Sequence, residues 1–194
     1  MILDQLKAAT AEAHESLERR LHLAQHPVSR GSYSAYLRAM YGFVAPLEAA
    51  FGQLPPDLSK TLELERRCKA RLILQDLEVL APGDSKPPFC EVLPEQGTAA
   101  RALGALYVLE GSTLGARWLL RHLAPLGIEG CSAYLNSYGE DLGAMWQRMR
   151  AVLQTHSRLH PEHDAELVAT ALQTFQRLDA WFVRCGAAEV SRAA

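Results

Sequence analysis

Apolar residues return at helical spacing along almost the whole chain, and no run sustains the strict alternation of a strand. Leu3, Leu6, Thr10, Ala13, Leu17 and Leu21 mark one stripe and predict a first helix over about residues 2–21. A second helix is expected to start from a cap at Ser29 or Ser32 and to carry Tyr33, Tyr36, Leu37, Met40, Tyr41, Val44 and Leu47. Pro46 falls late in it and is expected to kink it. After the break at 53–56, Leu58 to Leu80 reads as one further helix, and 81–88 is the clearest loop. A long apolar helix follows from about Glu95 to Leu123, stopping at Pro125-Leu126-Gly127. Two more are expected over about 139–155 and 161–185, the last opening on Pro161. Six or so helices with short connections give an all-α, bundle-like fold in one domain over 1–194, with 186–194 as a loose tail.

Composition narrows the partners. A chain of 194 residues with 48% hydrophobic content suits one soluble domain with a real core. A net charge of −2 and the lack of a basic tail give no reason to expect nucleic acid. Acids are scattered through the first twenty or so residues, so they do not read as a signal peptide, and no segment is apolar enough to span a bilayer. Cys68, Cys90, Cys131 and Cys185 form no CxxC pair, which points to a reduced, cytoplasmic protein.

The long helix carries an anomaly. Gly104, Gly111 and Gly115 are offset by seven and four residues and so share one face. Each costs about 0.5–1 kcal/mol relative to alanine inside a helix. Two readings account for them: close packing against another helix, or a groove in which something flat lies directly on the backbone.

No phosphate-binding loop, nucleophile elbow or HExxH motif is present, which leaves the histidines. His22 and His26 read as surface residues at the end of the first helix. His156, His160 and His163 stand at helical offsets, but Pro161 between them is expected to interrupt a shared face, and the stretch reads as an exposed connection rather than a metal site. His14 borders the buried stripe of the first helix, where it is either a hydrogen-bonded core histidine or a ligand. Glu18, one turn on, is placed to fix its tautomer, and Lys7 lies two turns back, about 10 Å along the axis. One imidazole, a nearby cation and a glycine groove suit a flat, apolar, dianionic disc, and heme has those properties: iron to His14, a propionate to Lys7, the other macrocycle face on glycine.

The segment from Leu6 to His14, LKAATAEAH, followed by Glu18, resembles the proximal helix of heme oxygenases. The segment from Leu103 to Ala116, LGALYVLEGSTLGA, is similar to the distal helix of their bacterial branch, as are Ser137-Tyr138-Gly139-Glu140 and Met145-Trp146. The match follows helix order over nearly the whole chain, and its specificity lies in finding both motifs about ninety residues apart. The resemblance implies an enzyme that takes heme as substrate and cofactor and cleaves it with oxygen and external electrons to biliverdin, carbon monoxide and ferrous iron. It makes His14 the proximal iron ligand, Glu18 its partner, Lys7 and Tyr107 propionate anchors, Gly111 and Gly115 the distal surface, and Ser112 a neighbouring hydroxyl.

Because Lys7 and Tyr107 are both present, the resemblance implies the common seating of the ring and the IXα isomer of biliverdin. A ferredoxin or flavoprotein reductase is the implied electron donor, and a soluble bacterial form of the type that supplies a bacteriophytochrome the implied setting. Arg148, Arg150 and Arg177 compete for the second propionate, Arg117 reads as a solvated or interface charge, and Tyr138 either lines the pocket or packs on Trp146. The tryptophans and the Tyr33–Tyr41 cluster read as core. Two alternatives stay open: a heme carrier or sensor that does not degrade its ligand, and a helical enzyme of similar fold without heme. The di-iron form of the latter needs Glu-x-x-His pairs, which the chain lacks.

Overall fold

The structure is a computed structural model and describes residues 1–21, 29–84, 86–128 and 130–186. His22, His26 and positions 187–194 of the expected tail lie outside the described residues. Among the described residues every regular element is helical. The helices are α1 (Ile2–Leu21), α2 (Arg30–Phe51), α3 (Pro56–Thr61), α4 (Leu64–Arg67), α5 (Ala70–Leu80), α6 (Ala99–Leu123), α7 (Leu142–Leu159) and α8 (Asp164–Arg184). Short 3-10 turns at Ala124–Leu126, Gly139–Asp141 and Pro161–His163 connect the later ones. No helix among them is long and apolar enough to cross a membrane.

The caps explain the starts. Ser29 accepts from the Ser32 amide and Ser32 answers the Ser29 amide, closing a capping box on α2. Thr98 accepts from the Arg101 amide at 3.2 Å, so α6 begins at Ala99, four residues later than its apolar pattern predicts. Pro46 lies inside α2 without ending it.

Helix α8 organises the core, packing along both α1 and α6, while α7 covers α1 and α6 and α2 pairs with α5. Leu6, Leu37, Leu103, Met145, Leu167 and Phe182 are fully buried where these helices meet. Gly104 permits the closest approach: a Cβ there would collide with the Leu167 carbonyl and stand 3.0 Å from the Ala171 nitrogen. Arg20 grips Asp179 through two hydrogen bonds of 2.5 and 3.1 Å, tying α1 to α8. The Trp181 indole donates to the Ala39 carbonyl at 2.8 Å, tying α8 to α2.

One predicted element is broken. The helix expected over 58–80 is three pieces, α3, α4 and α5, interrupted at Glu63 in the left-handed region (φ 50°) and at Cys68 in an extended conformation. The breaks turn Arg67 and Lys69 inward, where both meet the buried Glu110 of α6. Two of the tryptophans are at least partly buried, but Trp118 is not core: it is 46% exposed and stacks on His122 with ring centres 5.1 Å apart. Tyr33 and Tyr41 are buried as expected.

Candidate functional site

Helix α1 presents His14 at the edge of its buried stripe, with Leu17 one position inward. The imidazole is 50% exposed, sits edge-on to the Phe175 ring of α8 at 5.5 Å, and has Nε2 3.5 Å from Glu18 Oε1. It is therefore not a core histidine. The Glu18 carboxylate beside one ring nitrogen is placed to orient the imidazole. Lys7 is exposed two turns earlier on the same face.

Helices α1 and α6 meet at Thr10 and Tyr107. The Tyr107 phenol is half-buried, and burial raises its pKa while its polar contact with Thr10 lowers it. Its ring lies 6.0 Å from that of Trp146 on α7. His14 is one turn beyond Thr10 on α1, and Gly111 is one turn beyond Tyr107 on α6, so both faces continue outward from this contact.

The three glycines now separate. A Cβ on Gly111 or Gly115 would meet nothing within 4 Å, whereas one on Gly104 would strike α8. Gly104 serves packing; Gly111 and Gly115 border open space. Leu114 and Trp118, on the same face, are exposed large apolar residues that flank this bare backbone, and neither was singled out by the sequence pattern. Ser112 spends its hydroxyl on the Leu109 carbonyl at 2.8 Å. A surface without side chains, an apolar rim, a half-exposed imidazole and an adjacent lysine fit a planar apolar group carrying carboxylates.

The opposite face of α6 is built differently. Glu110, 1% exposed, takes hydrogen bonds from Arg67, from Lys69 Nζ at 2.5 Å and from the Tyr138 hydroxyl at 2.8 and 2.9 Å. Arg67 also donates to the Leu62 carbonyl at 2.5 Å, and the Lys69 ammonium lies 4.9 Å from the Tyr138 ring centre. Burial, and then the neighbouring Glu110 charge, push the Tyr138 pKa upward, so the phenol stays a donor. Tyr138 thus neither lines the glycine groove nor rests on Trp146; it closes this network. A cavity of about 230 Å³ lined by Glu48, Phe51, Arg67, Leu106, Leu109 and Glu110 opens on the same side, away from the glycine face. The signal for this network was Glu110 itself, an acid embedded in the apolar run from Leu103 to Leu109.

The arginines sort by partner. Arg148 is held by Glu63 through contacts of 2.9 Å, and Arg177 is exposed on the side of α8 that faces Cys90. Arg150 lies one turn after Trp146 on α7, and its guanidinium donates to Gln147 Oε1 at 3.4 Å. Arg117 donates to the Gly139 carbonyl at 2.7 Å on the surface. His156, His160 and His163, expected to be separated by Pro161, are instead drawn together: His160 caps α7 one turn after His156, and the 3-10 turn Pro161–His163 brings His163 beside both.

Comparison with known proteins agrees with this geometry. Residues 1–184 match the family model described as heme oxygenase. A heme oxygenase of Xanthomonas campestris pv. campestris is 31% identical over 170 residues, which is 86% of this chain and 96% of that protein. The crystal structure of the NO- and CO-bound heme oxygenase from Neisseria meningitidis superposes with a TM-score of 0.81 at 24% identity, covering 100% of this chain and 95% of that one. Heme oxygenase from Leptospira interrogans gives 0.75 at 18% identity, covering 94% and 98%. The glycine-surfaced α6 and the histidine-bearing α1 are therefore parts of a heme-degrading oxidoreductase, and the chain belongs to the heme oxygenase family.

Proposed function

We propose that this heme oxygenase seats heme between α1 and α6, where His14 would hold the iron and Glu18 would fix the imidazole through its other nitrogen. Lys7 and Tyr107 take one propionate. Arg150 takes the second, because Arg148 is already bound to Glu63 and Arg177 lies toward Cys90. Gly111 and Gly115 form the distal surface, with Ser112 beside them. The observation that carries this reading is the open space before Gly111 and Gly115, on a helix whose third co-facial glycine is packed tight.

When bound, heme supplies both the iron that activates oxygen and the ring carbon that is oxidised. The chain's contribution is orientation and restraint. The backbone at Gly111 and Gly115 offers no side-chain acid or base, and the Ser112 hydroxyl is turned back to Leu109. Peroxidase-like acid–base assistance from these positions is therefore missing. Lys7 and Tyr107 fix in-plane rotation, which selects the IXα isomer of biliverdin.

A ferredoxin or flavoprotein reductase supplies electrons, and the product suits a bilin acceptor such as a bacteriophytochrome. The setting is cytoplasmic and the whole chain, 1–194, acts as one domain.

Single-turnover degradation with a reductant and oxygen tests the assignment in the wild type and in His14→Ala. The wild type converts its Soret band to biliverdin absorbance; a mere carrier would keep the band. Unchanged heme affinity and iron spectra in His14→Ala would remove His14 from the axial position.

A further inference from the structure

We propose that the corner between α7 and α8 is a zinc site formed by His156, His160, His163 and Glu162. The three imidazole rings have centres 5.1, 5.4 and 5.8 Å apart. Three imidazoles on one tetrahedral ion at Zn–N of about 2.0–2.1 Å stand with ring centres about 5 Å apart, so the rings are already nearly gathered. Glu162 Oε1 lies between two of them, 3.7 Å from His160 Nδ1 and 3.8 Å from His163 Nε2. Ligand atoms around such an ion are separated by about 3.3 Å, so Glu162 stands within a few tenths of an ångström of the ligand spacing to each of the two imidazoles. The donor atoms of His160, Glu162 and His163 all fall within 4.8 Å of one another.

A second observation comes from His156. Among the described residues, only two buried side-chain polar atoms lack a hydrogen-bond partner, and both are at this corner: His156 Nε2 and Asp164 Oδ1. An imidazole nitrogen buried without a partner beside two further imidazoles is a donor waiting for a Lewis acid. Asp164 is held by Ser157 Oγ at 2.8 Å through its other oxygen, which fixes the start of α8 against the end of α7. An ion here joins a donor on α7 to donors in the 3-10 turn that leads into α8.

Imidazole with one carboxylate selects zinc among abundant divalent ions, because calcium and magnesium prefer all-oxygen shells. The site is separate from the groove at His14: Asp164 is about 16 Å along α8 from Phe175.

The test uses tag-free, heme-loaded protein, so that His14 is covered. Bound zinc per chain and melting temperature are followed as zinc chloride is added to the wild type and to His160→Ala/His163→Ala. The expected result is one tightly held equivalent in the wild type, lost in the double variant, with affinity weakened at least about tenfold. At free zinc one hundred times the dissociation constant, the wild type should melt about 5–10 °C higher than without zinc, and the double variant should not. Equal zinc uptake by both proteins, or no uptake by the wild type, overturns the proposal. His160 and His163 are exposed, so folding should survive. If the circular dichroism of the double variant departs from wild type, Glu162→Gln decides instead: it keeps its size, and unchanged affinity in it together with unchanged affinity in His163→Gln overturns the site.

Discussion

Gly104 and Gly111 sit two turns apart on the same face of α6, and the space before them is opposite in kind. A Cβ at the first strikes the backbone of α8; at the second it enters open space. Gly104→Ala should therefore lower stability by about 1–3 kcal/mol through overpacking. In a chain of this length, thermal melting would register that as a fall of about 2–4 °C per kcal/mol.

Gly111→Ala and Gly115→Ala should do the reverse. Each removes a helical glycine and should leave stability unchanged or raised by up to about 1 kcal/mol. Each also narrows the distal surface, so single-turnover conversion to biliverdin should slow more than heme affinity weakens. Loss of stability in Gly111→Ala would show that its face is packed in solution.

Glu110 compensates two buried cations. Glu110→Ala would leave Arg67 and Lys69 uncompensated and should cost about 3–5 kcal/mol, measurable by denaturant titration. Tyr138→Phe removes one donor to the same carboxylate and should cost about 1 kcal/mol. Both act on the back of α6, so the Tyr138 variant, which stays folded, should retain heme binding.

Asp76 gives a pH signature. It is fully buried, accepts the Ala133 and Tyr134 amides at 2.8 Å, and burial outweighs those bonds to raise its pKa. A carboxyl whose folded pKa lies above its unfolded one holds protons more firmly in the native state, so its contribution to stability falls as pH rises through that interval. Asp76→Asn keeps a neutral group and lacks this fall. The stability of the wild type relative to Asp76→Asn should therefore be greatest in acid and decline toward neutral pH, as read by urea titrations across the range.

Lys7 and Tyr107 control ring rotation in the proposed seating. Lys7→Ala/Tyr107→Phe should still degrade heme but should release a mixture of biliverdin isomers, resolved by chromatography. A pure IXα product from the double variant would place rotational control elsewhere.

Local patterning made much of this legible. The stripe from Leu3 to Leu21 gave α1 to its observed ends, and Ser29 gave the cap of α2. His14, Glu18 and the three glycines could be picked out because each breaks the pattern of its own helix. What escaped depends on distant partners. Nothing near Glu63 or Cys68 announces a break in a helix; the break exists because Glu110, more than forty positions later, draws in Arg67 and Lys69. Pro161 predicts a separation of the histidines, yet the 3-10 turn it starts brings His163 back beside His160 at the end of α7. Residue type alone places Trp118 in the core, although among the described residues it stands 46% exposed on α6.

The burial pattern of α6 has a mechanical consequence. From Ala100 to Glu110 the helix is enclosed nearly all round, whereas beyond Glu110 the buried residues narrow to the stripe Thr113, Ala116, Leu119 and Leu123, with Leu120 partly buried beside it. It is a beam clamped at one end and supported along one edge at the other, with two glycines in the supported part. Amide exchange should accordingly be slowest before Glu110 and faster across Gly111 to Trp118. The proposed distal surface is thus carried on the less enclosed half of α6, just past the residue that two buried cations hold.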